Sequence, residues 1–341
     1  MINGHGDDSY LFATKIVADF SSNVNYNGVS AELKHHLTKS LHKINNYPEA
    51  DAQSLQKEIA QWHQLKADEV LVTNGATEAF YLVAHAFRNQ SATIIVPAFA
   101  EYEDACVAND IHIVYQEWDA LDSNSLFTSD LVFFGNPNNP TGAVFSKENI
   151  SNWLKKHPKT TFVIDEAYVD FTSKAISVVS YVNQFPNLII IKSLTKTYSI
   201  PGLRLGYILS NTNSIKKILA FKMPWSVNTL ALEAGLFIIK NKEYLNFSIE
   251  SVLKDTETLR FQLNEVENIS VQNTNTNFFL CKTHKGTAAQ LKQFLLADYG
   301  LLLRDASNFK SLTPQHFRIA TQTKENNDLL VKGITAWMKS I

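Results

Sequence analysis

Between residues 70 and 209, short apolar runs rich in β-branched residues alternate with helical patterns. Most of these runs are apolar at nearly every position, which is typical of strands that are covered on both faces. The alternation predicts an α/β fold with an open, mostly parallel sheet and helices packed on it. The predicted strands are 70–73, 93–97, 111–116, 131–135, 161–165, 188–192 and 204–209, and the predicted helices among them are 77–88, 102–109 and 146–157.

The pattern changes after about residue 235, where helices become longer and strands fewer. The predicted elements there are a helix from 242 to about 263, strands at 277–281, 301–304 and 316–320, and helices at 288–297 and 326–339. We therefore expect a large domain at 30–235 and a small α+β domain at 236–341. Residues 1–29 are polar and rich in turn residues, too short to fold alone, and expected to lie over the small domain or the cleft.

Composition excludes several classes of protein. The 341 residues carry 31 basic and 33 acidic side chains, a net charge of -2, without a long Lys/Arg cluster, so a nucleic-acid partner is not expected. Cys106 and Cys281 lie in apolar contexts without metal-ligand spacing, which favours two buried free thiols. No secretion signal is present, and no apolar run reaches the roughly 18 residues of a membrane span. We expect a soluble, cytoplasmic protein that does not bind membranes.

Polar residues follow several of the predicted strands, where ligands bind in open α/β sheets. Residues 74–78, Asn-Gly-Ala-Thr-Glu, join a strand to a helix, and the free N–H groups there could bind an anion. Taken alone, this segment is better explained by an ordinary helix cap by Thr77. Residues 136–142, Asn-Pro-Asn-Asn-Pro-Thr-Gly, form either a plain turn or a rigid turn that holds an amide against a ligand.

Asp165 ends a predicted buried strand, and a buried carboxylate needs a partner. A cationic ring nitrogen, an Arg or a metal ion could serve. A metal is disfavoured, because no His lies nearby to complete a ligand set. We therefore predict no metal site.

Lys196 follows the predicted strand 188–192 and has hydroxyls at Ser193 and Thr195 beside it. Arg204 comes eight residues later. A lone Lys is usually a solvated surface charge. The buried strand before Lys196 instead favours a site. Its amine could form an imine with an aldehyde cofactor, and the neighbouring hydroxyls and guanidinium could hold a phosphate of that cofactor.

These motifs together resemble the class I/II aminotransferase family of fold-type I enzymes that use pyridoxal 5′-phosphate. The motifs occur in the family's order over nearly the whole chain: Asn-Gly-Ala-Thr-Glu at 74–78, Asn-Pro-Asn-Asn-Pro-Thr-Gly at 136–142, Asp-Glu-Ala-Tyr at 165–168, and Ser-Leu-Thr-Lys at 193–196 followed by Arg204. The resemblance implies a large domain with a mostly parallel seven-stranded sheet, a smaller α+β domain, and a homodimer with shared active sites.

The resemblance also implies the role of each motif residue, with Lys196, Asp165 and Tyr168 as the catalytic set. Lys196 would form an imine with the cofactor aldehyde and later move protons, while Asp165 would pair with the ring nitrogen. Arg318 would grip the substrate α-carboxylate as a bidentate fork, with Asn139 beside it. The other expected cofactor contacts are Ala76, Thr77, Ser193, Thr195 and Arg204 to the phosphate, Asn139 and Tyr168 to the ring 3′-oxygen, Phe99 stacked on the ring, and Tyr47 on the phosphate of the neighbouring subunit.

Three further segments resemble the L-threonine-O-3-phosphate decarboxylases of cobalamin biosynthesis: 4–8 (Gly-His-Gly-Asp-Asp), 19–25 (Asp-Phe-Ser-Ser-Asn-Val-Asn) and 303–309 (Leu-Arg-Asp-Ala-Ser-Asn-Phe). The departures from their pattern are Asp7 for Gly, Tyr26 for Pro and Ala306 for Cys. Arg304 and His5 are the candidates for holding a substrate phosphate.

Histidinol-phosphate aminotransferases share this layout and also take a phosphorylated substrate. We expect decarboxylation of L-threonine O-3-phosphate to (R)-1-amino-2-propanol O-2-phosphate, with transamination as the alternative. The choice depends on which substrate bond stands perpendicular to the cofactor ring. The sequence leaves that choice open.

Overall fold

The computed structural model describes residues 6–174, 176–241 and 248–341. Its strands are β1 Ala18–Asp19, β2 Val70–Thr73, β3 Ser91–Val96, β4 His112–Glu117, β5 Leu131–Gly135, β6 Thr161–Asp165, β7 Leu188–Ser193, β8 Gly206–Ser210, β9 Ile269–Val271, β10 Phe278–Thr283, β11 Leu301–Leu302, β12 Arg304–Asp305 and β13 His316–Ala320. Its α-helices are α1 Ala31–Ser40, α2 Gln53–His63, α3 Gly75–Ala86, α4 Ala100–Val107, α5 Lys147–Lys156, α6 Thr212–Leu219, α7 Thr229–Lys240, α8 Ile249–Asn264, α9 Ala288–Tyr299 and α10 Lys324–Ser340.

The larger part of the molecule is built on a seven-stranded sheet in the order β2-β8-β7-β6-β5-β3-β4. Strand β8 pairs antiparallel with both of its neighbours, and the other pairs are parallel. The predicted α/β fold with a mostly parallel seven-stranded sheet is therefore confirmed. The loops that follow β5, β6 and β7 all leave from one edge of the sheet.

Both faces of this sheet are buried, which explains the unbroken apolar runs. In β5, Leu131 and Phe133 join one core cluster, whereas Val132 and Phe134 join the cluster on the opposite face. Alternate residues of a strand point to opposite faces, so a doubly covered strand must be apolar throughout.

The smaller part holds a four-stranded antiparallel sheet in the order β12-β13-β10-β9. Helices α9 and α10 pack on it, and their contact with the sheet buries a core that includes Leu295, Phe279, Phe317 and Trp337. The N-terminal segment lies against this part, because β1 pairs parallel with β11.

The predicted strand at 301–304 is wrong as a single element. Leu301 pairs with Ala18 in β1, whereas Arg304 pairs with Arg318 in β13. The chain thus passes from one sheet to another within four residues. The start of the helix predicted from 242 lies outside the described residues, and α8 begins at Ile249.

The expected domain boundary at residue 235 falls inside α7. Buried residues on both sides of it, Ala231 and Ile239, belong to a core cluster of the larger part. We therefore propose that the division lies after α7.

Within the described residues, no helix is long and apolar enough to span a membrane, and no three potential metal ligands lie together. Cys106 and Cys281 are free and buried, as the sequence predicts.

Truncating Phe20 should destabilise the smaller part. The side chain comes from the N-terminal segment, is 0% exposed and packs in the core of the small sheet. Phe20→Ala removes a large buried ring and should lower the free energy of unfolding by roughly 3–5 kcal/mol, measured by urea denaturation. Phe261→Ala is the matched control, since that ring is 68% exposed. Equal effects of the two substitutions would contradict this packing.

Candidate active site

A cavity of about 780 Å³ opens where the loops after β5, β6 and β7 meet the small sheet and the N-terminal segment. We call it the main cavity. It brings together residues that are far apart in sequence. The predicted site residues that line it are Phe99, Asn139, Tyr168, Lys196, Arg204, Arg304 and Arg318.

Lys196 lies just beyond the end of β7, with its side chain facing the main cavity. Burial lowers the pKa of its amine to about 8, and the nearby guanidinium groups of Arg318 and Arg204 act in the same direction. A pKa of about 8 leaves roughly a tenth of the amine uncharged at pH 7, far more than for a solvated Lys. An uncharged amine is a nucleophile, so this setting suits covalent chemistry with a carbonyl.

Asp165 ends β6, and each of its oxygens accepts a hydrogen bond. The Tyr102 hydroxyl donates to Oδ2 at 2.7 Å and the Ala167 N–H donates to Oδ1 at 2.9 Å. Burial raises the pKa of Asp165 to about 6, while these two donors and Lys196 lower it. The carboxyl group therefore remains mostly ionised at neutral pH, as a partner of a cationic ring nitrogen should be.

Tyr102 is a site residue that sequence reasoning missed. It is 2% exposed and lies in α4, one helical turn after Phe99. That spacing places both aromatic rings on the same side of the helix, with centroids 5.9 Å apart. This spacing from Phe99 could have indicated that Tyr102 lies near the site, but the sequence around Tyr102 is equally typical of a core residue.

Three backbone segments form a cup beside Lys196 that is suited to a phosphate. Helix α3 starts at Gly75 without a side-chain cap, so the N–H groups of Ala76 and Thr77 lie in its open first turn. The Ser193 and Thr195 hydroxyls lie 2.7 Å apart at the end of β7.

Gly206 allows this cup to close. A Cβ at this position would lie only 2.8 Å from the Ala76 nitrogen and from the Lys192 carbonyl oxygen. A larger residue would therefore push β8 away from the start of α3. Arg204 stands two residues earlier, with its guanidinium packed against Gly75. Helix N–H groups, hydroxyls and a guanidinium are the donor set that a phosphate monoester requires.

Arg318 crosses from β13 into the main cavity. Its guanidinium donates hydrogen bonds to Asn139 Oδ1 and to the Ser21 carbonyl oxygen. Its Nε is buried but has no hydrogen-bond partner among the described residues. Burial lowers the pKa of Arg318 to about 10, which still leaves it charged. A buried guanidinium with an unused N–H is suited to a substrate carboxylate.

Arg304 lies directly opposite Arg318 on the neighbouring strand β12. Its guanidinium donates to Asn308 Oδ1 at 2.8 Å and lies 5.2 Å from the centre of the Phe309 ring. Burial lowers the pKa of Arg304. Two buried guanidinium groups side by side can hold two anionic groups of one substrate.

The other predicted residues that the structure describes do not line the main cavity: Asp165, Ala76, Thr77, Ser193 and Thr195 belong to the segments beside Lys196 described above, and Tyr47 lies elsewhere. Tyr47 is 86% exposed and packs against Trp225, with ring centroids 5.5 Å apart. Its expected contact would be with a partner subunit and stays a prediction. His5 lies outside the described residues.

Asn23 belongs to the sequence motif at 19–25, but the sequence does not predict a role for it. In the structure, it lines the main cavity. Its side chain is 1% exposed, and both of its amide atoms lack a hydrogen-bond partner among the described residues. It lies near Tyr168, whose pKa is raised by burial and lowered by this amide. The amide nitrogen is thus directed to Tyr168, whereas the amide oxygen is buried without a donor, which is costly unless a ligand completes its bond.

The model of the family "Aminotransferase class I and II" matches residues 15–334. The chain belongs to this family of pyridoxal-phosphate-dependent enzymes. It is similar to the crystal structure of L-threonine-O-3-phosphate decarboxylase from Porphyromonas gingivalis, with 37% identity, a TM-score of 0.92, and coverage of 95% of this chain and 100% of the other.

Two further relatives carry the aminotransferase activity in their names. The histidinol-phosphate aminotransferase of Caldanaerobacter subterraneus subsp. tengcongensis is 30% identical over 87% of this chain and 86% of its own. The fold also matches that of histidinol-phosphate aminotransferase from Sinorhizobium meliloti in complex with pyridoxal-5′-phosphate, with a TM-score of 0.88, 17% identity, and coverage of 97% and 94%.

Replacing Lys196 should abolish covalent attachment of the cofactor. Lys196→Ala should lack the absorbance of the imine between the enzyme and the cofactor aldehyde, because the substitution removes the amine that forms this imine. Lys310→Ala is the control, since Lys310 also lines the main cavity but lies over the Tyr115 ring. A Lys196→Ala enzyme that kept the absorbance would show that the attachment point is elsewhere.

Proposed function

We propose that this enzyme decarboxylates L-threonine O-3-phosphate to (R)-1-amino-2-propanol O-2-phosphate, a step of cobalamin biosynthesis, with pyridoxal 5′-phosphate as cofactor. The observation that carries the proposal is the pair Arg304 and Arg318, opposite each other on β12 and β13 and in the same cavity as Lys196. The substrate carries two anionic groups, a carboxylate and a phosphate, on adjacent carbons. The predicted homodimer and cytoplasmic location belong to the proposal as well.

When bound, pyridoxal phosphate supplies an aldehyde for the amine and a ring that accepts the electron pair of the broken bond. The phosphate cup of Ala76, Thr77, Ser193, Thr195 and Arg204 would hold its phosphate. Asn139 and Tyr168 would hold the ring oxygen, and Phe99 would cover one ring face.

Asp165 would keep a proton on the ring nitrogen, since a carboxylate that accepts from Tyr102 and Ala167 keeps its charge in a buried setting. Lys196, with an amine pKa of about 8, can hold a proton at Nζ or release it near neutral pH. In the proposed reaction it delivers that proton to the substrate Cα after carbon dioxide has left.

Arg318 and Arg304 would decide which substrate bond is presented. Arg318 Nε is the unused donor for the carboxylate, and Arg304 is the cation for the phosphate. A substrate held at both anionic groups cannot rotate freely about Cα. The bond that lies perpendicular to the ring is then fixed by the protein and not by the substrate.

Transamination is the second candidate, and the similarity to a histidinol-phosphate aminotransferase at 30% identity favours it. In transamination, Lys196 would remove and carry the proton of the substrate Cα. In decarboxylation, it would instead deliver a proton to Cα at the position that the carboxylate has left. The cofactor residues would be the same in both reactions.

A product assay should distinguish the two reactions. Purified enzyme with pyridoxal phosphate and L-threonine O-3-phosphate should release carbon dioxide and the amino-propanol phosphate, identified by mass, without a 2-oxo acid. The parallel incubation contains histidinol phosphate and 2-oxoglutarate. Formation of glutamate there, with no carbon dioxide from threonine phosphate, would replace decarboxylation by transamination.

Arg304→Gln should weaken the binding of phosphorylated substrates selectively. Loss of a buried, charge-assisted contact corresponds to about 1.5–3 kcal/mol, so we expect KM for threonine phosphate to rise by about 10- to 150-fold. Inhibition by unphosphorylated threonine should change little. Arg88→Gln, on the exposed surface after α3, is the control. Equal losses for both ligands would mean that Arg304 does not bind the phosphate.

A further inference from the structure

Asp7 places a carboxylate on the exposed rim of the main cavity. Its backbone N–H donates to Ser21 Oγ at 2.8 Å, and that hydroxyl donates to Asp19 Oδ1 at 2.6 Å. A side chain on the preceding Gly6 would collide with the Ser21 carbonyl, which itself accepts from Arg318. The backbone of Asp7 therefore packs against Ser21, whose carbonyl group holds Arg318.

Asp7 also adopts a left-handed backbone conformation, with φ of 61°. A residue with a Cβ pays on the order of 1 kcal/mol for this conformation, and glycine pays nothing. The related decarboxylases carry glycine at this point of the motif. Asp is one of the residues that adopt this conformation most readily, so the backbone shape is compatible with the added carboxylate.

The charge of Asp7 reaches the reacting amine, because it raises the pKa of Lys196. The guanidinium groups that also border this amine, Arg204 and Arg318, lower that pKa. Asp165, the other carboxylate that acts on the amine, is reserved for the cofactor ring. Asp7 is thus a carboxylate at the rim of the main cavity that acts on the Lys196 amine, whereas Glu103 and Asp104, which also line the cavity, are not among the groups that shift the pKa of this amine.

We propose that Asp7 recognises the ammonium group of the incoming substrate and so selects phosphate monoesters that carry a cation two carbons from the ester oxygen. The inference rests on the proposed function only in that the substrate is a phosphorylated amine. L-Threonine O-3-phosphate and histidinol phosphate share the same N–C–C–O–P spacing. The role of Asp7 is therefore independent of which bond is broken.

Two ligands that cannot condense with the cofactor isolate this contact. Phosphocholine has the N–C–C–O–P spacing and a quaternary ammonium group, and 3,3-dimethylbutyl phosphate is its uncharged isostere. Their dissociation constants are measured by calorimetry on the cofactor-loaded enzyme. The wild-type enzyme should bind phosphocholine more tightly than the isostere.

Asp7→Asn should reduce this preference by about 5-fold, since a solvent-screened pair of opposite charges about 4 Å apart contributes about 1 kcal/mol. Asn tolerates the left-handed conformation, and the N–H bond to Ser21 is retained. Asp7→Gly should lose the preference to the same extent. Asp8→Asn is the matched control, because Asp8 pairs with Lys292 outside the main cavity, and it should keep the preference.

An unchanged ratio in Asp7→Asn, or an equal change in Asp8→Asn, would overturn the proposal. So would a variant that binds both ligands more tightly by the same factor, since Asp7 would then only repel phosphate. The product assay on wild-type enzyme tests the proposed function separately. If the product assay gives neither product, the ratio of the two dissociation constants still tests the role of Asp7.

Discussion

The buried guanidinium of Arg318 ties three parts of the chain into one site. It extends from β13 of the small sheet, and it donates to Ser21 of the N-terminal segment and to Asn139 beyond the end of β5. A buried cation is tolerated only when hydrogen bonds compensate its lost hydration. The guanidinium therefore reaches its observed position only when all three parts are folded together. The site exists as a consequence of domain packing and not of either sheet alone.

Lys196 and Asp165 depend on the same burial, which moves their pKa values in opposite directions. Burial lowers the pKa of the amine to about 8 and raises that of the carboxyl group to about 6. Burial disfavours the charged form of each group, so both values move toward neutrality. The structure limits the shift of Asp165 with the hydroxyl of Tyr102 and the amide of Ala167. It makes the shift of Lys196 larger with neighbouring cations. The result is a reactive amine beside a carboxylate that is still charged.

Much of this arrangement could be predicted from the sequence, because a strand that is buried on both faces appears in the sequence as an uninterrupted run of apolar residues. Lys196 and Asp165 are predicted from their places at the ends of those strands, and Arg204 from its spacing of eight residues from Lys196. The split of 301–304 between two sheets was not predictable, since Leu301 to Leu303 are apolar whichever strand they pair with. The acceptor role of the Ser21 carbonyl was equally hidden, because every residue has a carbonyl group and only the fold decides which one is used.

The residues proposed to act around Lys196 would serve decarboxylation and transamination alike, so we infer that the choice between the two reactions is made farther away. Arg304 and Arg318 are directly opposite in an antiparallel pair, where Cα atoms lie about 4.5–5.5 Å apart. Side chains of directly opposite residues lie on the same face of a sheet, so both guanidinium groups are available to one substrate. In the proposed reaction, a substrate held at both points would present one face of Cα to Lys196 and one bond perpendicular to the ring. In the proposed reaction the register of β12 against β13 would thus act on the chemistry through substrate orientation, since a shift of that register by one residue would move Arg304 to the other face of the sheet.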